Sequence, residues 1–133
     1  MKKIAKRISF DFDGTLTELN VQRFCYSLLK QGCEVWITTL RCSPEEMRKR
    51  PEKRFFYDNK DLYKLAEDLG ILPQHIQFCN ETSYKVPQLI DKDFAFHLDD
   101  DPFIVSEIGK HLPHIIVDYN HANWRTHCLE RLL

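Results

Sequence analysis

A chain of 133 residues and 15.9 kDa is enough for one domain of ordinary size and hardly for two, so one core and one main site are expected over residues 1–133. Its 19 Lys+Arg against 20 Asp+Glu leave a formal net charge of −1, which disfavours electrostatic capture of nucleic acid or of an anionic membrane. Hydrophobic residues at 43% and charged residues at 29% can build a buried core, and they exclude disordered, collagen-like and membrane-spanning classes.

In chain order, Ile8-Ser9-Phe10-Asp11 reads as a strand ending at a turn over Asp13-Gly14-Thr15. Val21, Phe24, Cys25, Leu28 and Leu29 recur at helical spacing, with Asn20 as the expected N-cap and Gly32 as the stop. Glu34 to Thr39 is a β-rich run. A helix beginning near Asp58 is expected to bury Leu62, Leu65, Ala66 and Leu69 and to stop at Gly70. The alternation continues with a strand from His75 to Cys79, a short helix around Val86 to Ile90 and a strand from Phe94 to Leu98. A helix from Phe103 to Lys110, a strand from His114 to Val117 and a terminal helix carrying Trp124, Cys128, Leu129 and Leu132 complete it. Strands alternating with helices over short connections predict a doubly wound α/β domain, a parallel five-stranded sheet with helices on both faces. In such sheets ligands sit beyond the carboxyl ends of the strands.

Other features are read more plainly. Five cysteines (Cys25, Cys33, Cys42, Cys79, Cys128) without a C-x-x-C pair suit reduced thiols. Lys6 and Arg7 interrupt any apolar stretch in MKKIAKRI, so no signal peptide and a cytoplasmic setting are expected. The basic run Arg48 to Arg54 reads as a solvated loop or helix end. The six histidines share no metal spacing with the cysteines.

The chemistry concentrates at strand ends. Asp11 and Asp13 lie two apart where the first strand gives out, and Asp99, Asp100 and Asp101 follow the fourth. Packed together without a counter-charge these carboxylates would have raised pKa values and cost stability, so a hard, oxygen-loving divalent cation is expected, with Mg²⁺ the natural candidate. Asp101 is expected to cap the following helix, and Asp100 either touches the metal or accepts backbone N–H bonds. Thr39 competes with Thr38 for a phosphate-facing position, since strand alternation lets only one face the crevice. Arg41 either binds substrate or pairs with a carboxylate. Lys85, preferred to Lys92, precedes the fourth strand by a helix-sized interval. Together these groups suit phosphoryl transfer, with Asp11 attacking phosphorus and Asp13 as general acid and base.

These residues resemble the haloacid dehalogenase superfamily of phosphohydrolases over essentially the whole chain. Asp11-Phe12-Asp13-Gly14-Thr15-Leu16 is similar to its first motif, Thr39 in Thr39-Leu40-Arg41 to its second, Lys85 to its third and Asp99-Asp100 to its fourth. The resemblance implies an aspartyl-phosphate on Asp11, Mg²⁺ held by the Asp11 carboxylate, the Asp13 main-chain carbonyl and Asp99, and strand order 5-4-1-2-3. Leu98-Asp99-Asp100-Asp101-Pro102 is also similar to a stretch of deoxyribonucleotidase-like members, with Asp101 where those have Arg. Thr17 to Asn20 and Asn80 to Tyr84 are too short for a folded cap, so the resemblance implies a capless enzyme that takes a large substrate or uses a neighbouring subunit as a lid.

The expected activity is therefore Mg²⁺-dependent phosphomonoester hydrolysis on a phosphorylated substrate of unstated class, nucleotidase or polynucleotide phosphatase activity being alternatives within it. Outside it stand a non-catalytic phospho-ligand binding domain and a receiver-like signalling domain. A receiver needs its acceptor Asp after the third strand, where this chain has Asn80.

Overall fold

The computed structural model describes residues 5–133, so the opening residues of MKKIAKRI lie outside it. Strands β1 (Arg7–Phe10), β2 (Glu34–Thr39), β3 (Ile76–Phe78), β4 (Phe94–Asp99) and β5 (Ile116–Asp118) pair in parallel as one sheet in the order β3-β2-β1-β4-β5. Read from the other edge this is 5-4-1-2-3. The helices are α1 (Leu19–Lys30), α2 (Pro44–Arg48), α3 (Lys60–Leu69), α4 (Val86–Leu89), α5 (Pro102–His111) and α6 (Trp124–Arg131).

The two-residue period of a strand divides the core between the faces of the sheet. Ile8 and Phe10 of β1, Val35 and Ile37 of β2, and Phe96 and Leu98 of β4 meet Val21, Phe24 and Leu28 of α1, Leu62 and Ala66 of α3, and Cys128 of α6. Phe10 sits edge-on to both Phe24 and Phe96, with ring centroids 6.4 and 5.6 Å away. On the opposite face Leu89 of α4 and Ile104 and Ile108 of α5 pack with Phe94, and Trp36 and Leu40 lie against them. Both faces are covered, as a doubly wound sheet requires.

Several boundaries differ from the sequence reading. Helix α1 starts at Leu19 with Glu18 ahead of it, not at an Asn20 cap; the Asn20 amide oxygen accepts from the Val21 N–H and from the Tyr119 hydroxyl instead. Strand β1 ends at Phe10, leaving Asp11 in the turn that follows. Strand β3 begins only at Ile76, because Pro73 fixes its φ in a 3₁₀ turn through His75, whose ring then stacks 4.4 Å from Trp36. Strand β5 runs Ile116–Asp118 and not from His114. Helix α2 has no counterpart in the sequence reading although its signals were there: Ser43 accepts from the Glu46 N–H, Pro44 occupies the first turn and Glu45 and Glu46 favour its N-terminus. Within the basic run, Arg50 pairs with Glu46 and Lys53 with Glu81. All five cysteines are free thiols, and among the described residues no helix is long and apolar enough to cross a membrane.

Candidate active site

The ends of β1, β2 and β4 converge because they are neighbours in the sheet, and the segments leaving them enclose a cavity of about 170 Å³ lined by Asp11, Asp13, Thr39, Lys85, Asp99, Asp100 and Asp101. After β1 the backbone turns at once: Gly14 has φ of +78°, and the Asp100 side chain packs where a Cβ on Gly14 would stand, the Asp100 Cγ lying 2.8 Å from that position. Only glycine meets both requirements at low cost. Gly14→Ala should therefore destabilise the fold by roughly 1–2 kcal/mol through its left-handed φ. It should weaken divalent-cation binding more severely, because the flexible Asp100 side chain, not the backbone, gives way. Thermal denaturation read beside a Mg²⁺ titration separates the two effects, and an Asp100-independent loss of folding alone would contradict this account of the glycine.

Lys85 is the hub. Its side chain is 1% exposed, and Nζ donates to Asp11 Oδ1 at 2.7 Å and to Asp99 Oδ2 at 2.6 Å. Burial alone would lower its pKa, but the flanking Asp99 and Asp11 charges outweigh burial and hold it raised, so the ammonium persists. Lys92, the other candidate, lies 5.7 Å over the Trp36 ring.

The two buried carboxylates fare differently. Asp99 is buried, which pushes its pKa up, but Lys85 and the His97 N–H overcome this and bring it down to about 2; its other oxygen accepts from the Asp101 N–H at 3.2 Å. Asp11 has weaker support. Burial raises it, Lys85 only partly offsets that, and the neighbouring Asp99 and Asp100 raise it further. The Thr15 hydroxyl lies 3.2 Å from Asp11 Oδ2 and 3.0 Å from Asp100 Oδ1. Asp11, Asp99 and Asp100 each offer an oxygen, and these lie within 4.8 Å of one another. An all-oxygen set of three carboxylates against a single lysine is short of positive charge and fits a hard divalent cation.

The sequence alternatives resolve by geometry. Thr39 lines the cavity and its Oγ1 accepts from the Arg41 N–H, whereas Thr38 Oγ1 is bound within the sheet to Ser9 and Gln77. Asp101 caps α5 by accepting from the Phe103 and Ile104 N–H groups. Asn80 accepts from the Ser43 N–H. Arg41 lies outside the cavity lining and pairs with carboxylates. Its Nε and Nη2 grip both oxygens of Asp13 at 2.9 and 2.8 Å, Nη1 and Nη2 grip Asp61 at 2.8 and 3.0 Å, and the guanidinium stacks between the Phe12 and Tyr57 rings. A guanidinium so occupied has no free fork for a phosphate, so in this structure Arg41 takes the carboxylate-pairing alternative and holds Asp13. Asp13 rims the cavity but its side chain is 59% exposed, because the helical backbone at Phe12 breaks the extended run between Asp11 and Asp13 that would have aimed the two side chains together.

Sequence reasoning missed Asp61, Tyr57 and the buried His97. For His97 a signal existed: in Phe96-His97-Leu98-Asp99 the apolar residues fall on one face, and His97 and Asp99 share the other.

The sheet order and the placement of Asp11, Thr39, Lys85 and Asp99 around one crevice beyond the strand ends match what the sequence resemblance implies. The fold is a doubly wound, Rossmann-like α/β sheet. No protein-family model and no curated protein matches the chain. Among solved structures, a Vibrio cholerae protein provisionally assigned as a 3-deoxy-D-manno-octulosonate 8-phosphate phosphatase is similar at 17% identity over 96% of this chain and 83% of that one, with a TM-score of 0.36. Within this α/β fold the connections leaving β1 and β3 are short, running from Phe10 to Leu19 and from Phe78 to Val86.

Proposed function

We propose that this chain is a Mg²⁺-dependent phosphomonoesterase that works through a covalent phosphate on Asp11. The observation that carries the reading is the three-carboxylate oxygen cluster of Asp11, Asp99 and Asp100 gathered around the buried Lys85 ammonium. The Asp11 and Asp99 side chains, the Asp13 main-chain carbonyl and Asp100 would hold the cation. When bound, it would supply positive charge against the phosphoryl oxygens.

The remaining chemistry belongs to the chain. A carboxylate oxygen of Asp11 attacks phosphorus, and the bond from phosphorus to the ester oxygen breaks as that oxygen takes a proton from Asp13. Asp13 then takes a proton from a water, whose oxygen attacks phosphorus and frees Asp11 as phosphate leaves. To carry that proton one Asp13 oxygen releases the Arg41 guanidinium, while Asp61 keeps Arg41 in place. The Lys85 ammonium and the Thr39 hydroxyl face the phosphoryl group. A cavity of about 170 Å³ is smaller than the roughly 300–1,000 Å³ of sites that engulf a ligand. It suits the phosphoryl head alone, so the organic part of the substrate stays outside, in keeping with a capless enzyme. A second copy of the chain is the candidate lid, testable from the mass of the assembly in solution.

The direct test is hydrolysis of p-nitrophenyl phosphate with Mg²⁺ and after chelation. Activity should require the cation, and Asp13→Asn should lower kcat by about 10²- to 10⁴-fold, the usual worth of a positioned acid and base. Turnover that persists at full rate in chelator would overturn the reading.

A further inference from the structure

Across the middle of the sheet, on the α4 and α5 side, runs a row of buried polar side chains that the reaction above does not use. Gln77 of β3, Thr38 of β2, Ser9 of β1 and His97 of β4 are each 7% exposed or less. They follow one another in the sheet's own strand order. Gln77 Nε2 lies 2.9 Å from Thr38 Oγ1, Thr38 Oγ1 2.8 Å from Ser9 Oγ, Ser9 Oγ 2.8 Å from His97 Nδ1, and His97 Nε2 2.8 Å from Asp99 Oδ2. The row ends on the carboxylate that the proposed function makes a cation ligand.

Both ends of the row set its direction. An ionised carboxylate only accepts, so Nε2 carries the hydrogen and donates to Asp99. That leaves Nδ1 as an acceptor, which the Ser9 hydroxyl must fill; Ser9 oxygen then accepts from Thr38, and Thr38 from the Gln77 amide, which has hydrogens to give. Every donor along the row points toward Asp99. A core of this kind costs several buried polar groups that Val or Leu would avoid, and it is tolerable only because each is paired.

We propose that His97, oriented by the one-way row Gln77→Thr38→Ser9, is a positioning residue for Asp99: it pins Oδ2 so that the carboxylate stays turned toward the Asp11 and Asp100 oxygens as a cation ligand. The inference rests on the phosphatase reading for the purpose of that ligand, but the hydrogen-bond direction stands without it. Ring placement of this kind supports metal sites generally, and loss of such partners costs about 10- to 100-fold in metal affinity.

Two measurements decide it. Imidazole ¹⁵N NMR of the wild-type protein should show His97 neutral with hydrogen on Nε2 and none on Nδ1; a hydrogen on Nδ1 would overturn the direction of the row. Calorimetric titration of the metal-free protein with Mg²⁺ alone should show about 10- to 100-fold weaker binding in His97→Phe. His97→Gln, whose amide can donate from the place of Nε2, should restore affinity close to wild type. Unchanged affinity in a folded His97→Phe would overturn the proposal, as would a His97→Gln no better than His97→Phe. Should His97→Phe fail to fold, Ser9→Ala decides by the same titration, weaker binding supporting the row and unchanged binding overturning it. A wild-type protein that binds Mg²⁺ yet hydrolyses no phosphate ester would defeat the phosphatase reading and leave this one intact; one that binds no Mg²⁺ would defeat both.

Discussion

Asp11→Asn should remove Mg²⁺-dependent hydrolysis, with kcat falling by at least about 10⁴-fold, because a covalent route has no substitute for its nucleophile. The change keeps the shape of the side chain, so the cavity and the Thr15 contact should survive. Folding should be little disturbed for a specific reason: burial and the two neighbouring carboxylates already raise the Asp11 pKa, so a neutral group at this position relieves crowding even as Lys85 loses one of its partners. Single-turnover assays would show the difference cleanly, with wild type accumulating acid-stable phosphate on the protein and the variant none. Undiminished turnover in a preparation free of contaminating phosphatase would falsify the assignment of Asp11.

Lys85→Met should have the largest effect on stability, about 3–5 kcal/mol, since it strands the buried Asp11 and Asp99 carboxylates without their cation. Methionine fills much of the same space, so the loss is one of charge and not of packing. The pH dependence follows from the shifts. Asp99 is depressed to about 2 in the folded wild type, so its contribution is present above the unfolded carboxylate pKa of about 3.9 and is lost as pH falls toward about 2. Lys85 is raised, so its contribution is complete below the unfolded lysine pKa of about 10.4 and is lost as pH climbs through the higher folded value. The gap between wild type and Lys85→Met should thus be widest across the neutral range and close at both extremes. Mg²⁺ should recover part of the variant's stability by binding only the folded state. Chemical denaturation at pH 3, 7 and 11 with and without the cation checks all of this, and a gap that stayed constant with pH would show that packing, not charge, was lost.

Much of this site was legible in the linear sequence because its groups sit at the ends of strands, and strands announce themselves by short β-rich runs between turn residues. Asp11, Thr39, Lys85 and Asp99 all fall at or just beyond the carboxyl ends of strands, which the alternation assigns to one side of the sheet. What escaped were contacts between residues far apart in sequence with no local pattern. Arg41 reaches Asp61 at the start of α3 and Tyr57 in the segment after α2, and neither a spacing nor a period links them. Asn20 does not cap α1 because its side chain has a tertiary partner in Tyr119, and helix α2 leaves no apolar period in the sequence because it buries none of its residues.

The sequence by itself determined the alternation of strands and helices, and hence a parallel sheet, because parallel strands need a helix to return the chain and apolar periodicity records which face is buried. It also determined which oxygen-bearing groups stand at the strand ends. Only the tertiary structure decided that Asp13 turns to Arg41 while Asp99 turns inward, and that Gln77, Thr38, Ser9 and His97 join into one row. Those outcomes depend on which strands become neighbours and how each side chain finds a partner across the gap, a matter of geometry between distant residues that no local preference encodes.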